Sequence, residues 1–163
     1  MSRFVAALFG TCVLLSAPAA AEDAKYVKIV HADTGKVLTV KDGSTESEAS
    51  VVIAKADGGE SEQWQIVKDE KHLKIVNRKS GKALDVFGDS KDEGVKIIIW
   101  DVKDEGVENQ RWSWVGDEKE KTRRLKSKSS ELVLDIGDDG EVVQKKQDDK
   151  AKSQLWEVVE VKK

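Results

Sequence analysis

The chain has 163 residues with 31 acidic and 28 basic side chains, giving a formal net charge of −3, and 36% of its residues are charged. Both signs are interspersed, so there is no basic stripe for a nucleic acid to follow, and a nucleic-acid partner is excluded. Its one cysteine, Cys12, and its one proline, Pro18, both lie near the start, which rules out a disulfide framework and a proline-rich linker in the remainder.

In chain order, Met1-Ser2-Arg3 supplies a positive charge and Phe4 to Ser16 is almost wholly apolar. Ala19-Ala20-Ala21 then offers a small-residue cleavage site before Glu22. This is the layout of a secretory signal peptide over residues 1–21. The apolar run is short for a bilayer span, so no membrane insertion is expected. Residues 22–163 would then form a secreted, extracellular protein. Cys12 leaves with the signal, and stability must come from a packed core, for which this length suffices in one domain.

From Tyr26 onward the sequence repeats itself. Tyr26 to Val40 aligns without a gap on His72 to Val86, so that Thr34-Gly35-Lys36 falls on Ser80-Gly81-Lys82 and Leu38-Thr39-Val40 on Leu84-Asp85-Val86. Leu134-Asp135-Ile136 takes the same slot in a third copy, and Trp64, Trp112 and Trp156 close the three. The repeats therefore cover about 26–67, 72–115 and 122–161. Each reads as four short strands between Gly-, Asp- and Ser-rich turns. In the first these are Val27 to His31, Val37 to Val40, Val51 to Ala54 and Trp64 to Val67. The second has Leu73 to Asn77, Ala83 to Phe87, Ile97 to Trp100 and Arg111 to Val115. The third has Arg123 to Lys126, Leu132 to Ile136, Val142 to Lys145 and Leu155 to Val161. No stretch keeps a helical apolar period, so the fold class is all-β. Three units with no chain left over for polar caps predict a closed pseudo-threefold arrangement and not an open solenoid.

Within each second strand the side chains alternate. Leu84 and Val86 take one face, which leaves Asp85 on the other, as Asp135 and Thr39 are in their copies. An Asp held this way is expected to be presented outward as a recognition group.

The combination of G-x-x-L-D-V, an apolar strand ending in Trp, and N-Q-x-W resembles the ricin B-type lectins, the Q-x-W β-trefoil family. The motif stands as Gln110-Arg111-Trp112 and Gln154-Leu155-Trp156, with Glu62-Gln63-Trp64 as a departure, and the resemblance runs from Tyr26 to about Val161. It implies a β-trefoil of three four-stranded repeats, with the Q-x-W tryptophans in the core. It also implies a carbohydrate-binding protein whose partners are glycans or glycoproteins, galactose-type sugars among them. No cofactor is expected, and no metal, because the loop acids Asp89, Asp92, Glu93, Asp138 and Asp139 lack the D-x-[DN]-x-[DN]-G spacing of a calcium loop.

Carried over residue by residue, the second copy matches best, with Asp85, Trp100, Asn109 and the adjacent Gln110 as carbohydrate-binding residues. Its Ile98 replaces a Gln that the family often has. The first copy has Thr39, Ala54 and Ser61 in these slots and is expected to have lost its site. The third offers Asp135, Gln144 and Gln154 as a second candidate site, with Lys146 in place of the stacking Trp and Ser153 in place of the Asn. The chemistry is sound in itself. A carboxylate accepts from two adjacent hydroxyls at once, and an indole face covers the C–H side of a sugar with little rotamer entropy to lose.

No G-x-S-x-G, H-E-x-x-H or phosphate-binding glycine loop occurs, and the two histidines, His31 and His72, fall in ordinary repeat positions; the chain is not expected to be an enzyme. Two alternatives to a lectin remain open at this point: a β-trefoil protease inhibitor acting through an exposed loop, and a structural or coat protein with vestigial sugar sites.

Overall fold

Short apolar runs punctuated by turn residues fold each repeat into four strands. The computed structural model describes residues 25–104 and 107–162. The expected signal peptide, residues 1–21, lies outside them. The first repeat contributes β1 (Val27–His31), β2 (Val37–Val40), β3 (Val51–Ala54) and β4 (Trp64–Asp69). The second contributes β5 (His72–Asn77), β6 (Ala83–Val86), β7 (Ile97–Trp100) and β8 (Trp112–Val115). The third contributes β9 (Thr122–Ser127), β10 (Val133–Ile136), β11 (Val142–Lys145) and β12 (Trp156–Glu160). These spans match the expected strands to within a residue or two at each end. No helix among the described residues is long and apolar enough to cross a membrane.

The first and fourth strands of the repeats make a closed antiparallel ring. β1 pairs with β4, β4 with β5, β5 with β8, β8 with β9, β9 with β12, and β12 returns to β1. Closure leaves this ring no free edge. The second and third strands form the hairpins β2–β3, β6–β7 and β10–β11. Bridges from Ser50 to Ile98, Lys96 to Val143 and Val52 to Glu141 join the hairpins to one another in a triangle over one end of the barrel. This is a β-trefoil.

The core obeys the same threefold pattern. Ile29, Ile75 and Leu125 come from the first strands, Leu38, Leu84 and Leu134 from the second, and Trp64, Trp112 and Trp156 from the fourth. All are buried. Each tryptophan also donates its indole N–H to the second strand of its own repeat, Trp64 to the Leu38 carbonyl at 2.9 Å, Trp112 to Leu84 at 3.0 Å and Trp156 to Leu134 at 3.5 Å. A buried indole thus satisfies a carbonyl that would otherwise be stranded in the core, and it fixes the hairpin to the barrel.

At the turn between first and second strands, Gly35 and Gly81 hold φ of +67° and +68°. Glu131 stands at the same corner of the third repeat with φ of 62°, a conformation that glycine adopts without the Cβ penalty.

Candidate binding groove of the second repeat

Strand register decides which side chains meet. Across the β6–β7 hairpin Asp85 faces Ile98, and Ala83 faces Trp100. Cross-strand partners and residues two apart share a face, so Asp85, Ile98 and Trp100 lie together on the side away from Leu84 and Val86. The segment between β7 and β8 then returns over this face and ends in the 3-10 turn Glu108–Gln110. That turn sets Asn109 and Gln110 directly against Asp85.

The result corrects the expectation of an outward Asp. Asp85 is only 2% exposed. Asn109 donates to its Oδ1 at 2.7 Å and Gln110 to its Oδ2 at 2.8 Å. Strand alternation places the carboxylate on the correct face, but the returning loop covers that face. Burial pushes the Asp85 pKa from its ordinary 3.8 up to about 6, against the opposing pull of the Gln110 hydrogen bond, the Lys103 charge and the Asn109 hydrogen bond.

Each Asp85 oxygen therefore has one amide donor and keeps acceptor capacity toward a groove of ≈ 330 Å³ that Asp85, Asn109, Ile98 and Trp100 line together with Glu48, Phe87, Gly88, Asp89 and Lys103. Trp100 is partly exposed there, and the Lys103 ammonium stands 5.8 Å from its ring centroid. Three of the four residues expected from the sequence thus converge on one open groove.

Gln110 does not reach it. Its side chain is fully buried. It donates to Asp85 and, at 3.0 Å, to the Asp101 carbonyl, and its Oε1 accepts from the Lys103 backbone N–H at 3.2 Å. Gln110 is a positioning residue. It orients Asp85 and pins the segment that carries Lys103.

The other repeats show what this arrangement requires. In the first, Glu62 fills the Gln110 slot and, like Gln110, accepts loop amides, from Asp57 at 2.9 Å and Gly58 at 3.0 Å, while Lys28 neutralises it at 2.5 Å. A glutamate cannot donate to an Asp, and this repeat carries Thr39 there, bonded to Ser61 Oγ at 3.4 Å. Its groove is larger, ≈ 680 Å³, and is lined by Thr39, Ala54 and Ser61 among others. It offers neither the buried carboxylate nor the aromatic face of the second repeat.

In the third repeat Asp135 and Gln154 do meet, at 3.0 Å, but Oδ1 of Asp135 accepts the backbone N–H of Ile136 at 2.7 Å, and Asp135 is 4% exposed. Gln144 is not in this cluster. Register pairs Leu134 with Gln144 and Asp135 with Val143, so Gln144 corresponds to Ile99 and not to Ile98. It is fully buried, accepting from Ser130 Oγ and donating to the carbonyls of Ser90 and Asp92. The same register corrects the stacking slot. Lys145, opposite Val133, replaces Trp100, and Lys146 lies one residue beyond. The groove on this side, lined by Val143 and Lys145, contains none of Asp135, Gln144 or Gln154.

Phe87, Lys103 and Glu48 were not singled out from the sequence. Phe87 had a usable signal, because its slot holds Lys41 and Gly137 in the other copies. Glu48 had none, since it reaches the groove from the first repeat, whose backbone joins β7 through Glu48 N–H to Ile99 O at 2.9 Å and Ile99 N–H to Ala49 O at 3.0 Å.

The sequence profile of the ricin-type β-trefoil lectin domain-like family matches residues 14–100, more than half of the chain. The chain belongs to this family. Among solved structures, this lectin-like domain is similar to ThreeFoil, a designed threefold-symmetric protein, with 31% identity, a TM-score of 0.77, and coverage of 83% of this chain and 99% of that one. It is also similar to an exo-β-1,3-galactanase from Clostridium thermocellum, with 32% identity and a TM-score of 0.75, covering 86% of this chain but 31% of the galactanase. A ricin B-like lectin from Macrolepiota procera, solved in complex with lactose, shares the fold with 17% identity, a TM-score of 0.68, and coverage of 85% and 97%. No curated protein matches the chain.

Proposed function

We propose that the chain is a secreted lectin that binds glycans non-covalently, without turning them over, mainly through the second repeat. The observation that carries this is the convergence of Asp85, Asn109 and Trp100 on one open groove. A sugar ring stacks its C–H face on the Trp100 indole, and two neighbouring hydroxyls donate to the remaining lone pairs of the Asp85 carboxylate. Asn109 holds Asp85 from the groove wall and Gln110 from behind it. Both donors are in place before a ligand arrives, so little ordering entropy is lost on binding.

Family membership supports carbohydrate binding as the class of activity, and the Macrolepiota lectin with lactose supports galactose-type sugars as the first to test. Secretion is supported by the signal-like composition of residues 1–21. A glycan array with the wild type, Trp100→Ala and Asp85→Asn tests the proposal. Binding that both substitutions abolish or reduce by more than tenfold supports it. Absence of binding to every glycan, or binding that neither substitution alters, overturns it, and inhibition of a protease in parallel would favour the inhibitor alternative.

A further inference from the structure

Beyond that reading, and resting on it, the structure assigns Phe87 to a second apolar subsite, so that the groove takes a glycan of two or more units and a single sugar fills only its Trp100 end. Phe87 is 39% exposed, one of few large apolar side chains left in solvent among the described residues, and it lines the same groove as Trp100. It is also specific to this repeat. The equivalent positions are Lys41 and Gly137, so Phe87 occurs only where Trp100 and Asn109 also occur.

The backbone positions that carry the two rings flank the Asp85–Ile98 pair on the same face of the hairpin. Trp100 lies opposite Ala83, and Phe87 follows Asp85 by two residues. The backbone at Phe87 stands four residues along from Ala83, the partner of Trp100, a spacing of up to about 13 Å in extended chain and longer than one pyranose ring. A sugar seated on Trp100 with its hydroxyls on Asp85 therefore leaves Phe87 free for the next unit.

The Phe87 platform is held in place before any ligand binds. The 3-10 turn Phe87–Asp89 contains Gly88 at φ 63° and Asp89 at φ 52°, and Ser90 N–H closes it onto the Phe87 carbonyl at 3.3 Å. Asp89 is anchored by Lys91 at 2.8 Å and by the Ser129 hydroxyl from the third repeat. The Lys96 ammonium stands 4.7 Å from the Phe87 ring centroid, which fixes the ring by a cation–π contact. An aromatic held this firmly while half-exposed offers contact area with little entropy left to lose.

The test compares wild type, Phe87→Ala and Trp100→Ala on an array carrying monosaccharides beside their β-linked di- and trisaccharides, galactose and lactose included, with calorimetry on the strongest pair. Phe87→Ala is expected to lower affinity for the longer glycan by about tenfold and to leave the monosaccharide within about twofold. Trp100→Ala is expected to remove both. Equal loss on both lengths, or no loss on the longer one, overturns the second subsite and leaves the lectin assignment standing. A wild type that binds no glycan overturns both.

Discussion

Asp85 is the residue on which acidity, stability and binding meet, and changing pH perturbs all three. Its pKa rises from 3.8 to about 6 because the returning 3-10 turn buries it. The difference of roughly two units corresponds to about 3 kcal/mol between the protonation states. The sign follows from proton uptake. Between these values the folded chain binds the proton that the unfolded chain has released, so the Asp85 contribution to stability is present below about pH 4 and is lost as pH rises through 6. Binding runs the other way, since only the ionised carboxylate accepts two hydroxyls. Glycan affinity should fall about tenfold per unit below pH 6, reaching about a hundredfold by pH 4. The assay is urea denaturation and glycan titration from about pH 4 to 7.5 on wild type and Asp85→Asn. The stability difference between the two proteins should change by about 2–3 kcal/mol across that range, with the wild type losing ground as pH rises. The variant should bind weakly, with an affinity that pH leaves flat. Parallel stability curves, or equal pH dependence of binding in the two proteins, would refute the reasoning.

Three further outcomes follow from the same geometry. Gln110→Ala strands Asp85 Oδ2, the Asp101 carbonyl and the Lys103 N–H, so urea denaturation should show a loss of about 2–3 kcal/mol, and calorimetry at least a tenfold loss of glycan affinity although Gln110 touches no ligand. Rebuilding the first repeat with Thr39→Asp, Ala54→Trp, Ser61→Asn and Glu62→Gln together should raise the calorimetric stoichiometry from one glycan per chain to two; the same set without Glu62→Gln should fail, because two carboxylates would face each other. Glu131→Gly relieves a side chain at φ 62° and should raise the thermal midpoint, by an amount equivalent to about 1 kcal/mol less the exposed Lys126 ion pair.

The fold was legible because threefold repetition printed each strand three times. Leu38, Leu84 and Leu134, with the tryptophans Trp64, Trp112 and Trp156, mark the same core slots in every copy, and a slot filled alike three times leaves little room for error. The site was less legible, for reasons that differ from residue to residue. Alternation put Asp85 on the correct face of β6 but carries no information on what covers that face, and the turn Glu108–Gln110 does so. Counting along the third copy displaced Lys145 and Gln144 by one position, because the loops differ in length and only hydrogen-bond register resolves a one-residue slip. Adjacency to Asn109 in sequence points to Gln110 as a ligand contact, yet consecutive residues of the tight turn face differently, Asn109 lining the groove and Gln110 buried behind it. Phe87 reads as the end of a strand in sequence but opens the 3-10 turn Phe87–Asp89, and the comparison across copies that isolates Trp100 isolates Phe87 as well.

The central claim, a glycan seated on Trp100 beside Asp85, is tested most directly by NMR of the five tryptophan indole N–H signals as the strongest array glycan is titrated in. The Trp100 indole and the Asn109 side-chain amide should shift with the ligand, while the buried indoles of Trp64, Trp112 and Trp156 stay in place. Saturable shifts centred on Thr39 and Ser61, or on Lys145, with the Trp100 signal unmoved, would contradict the claim.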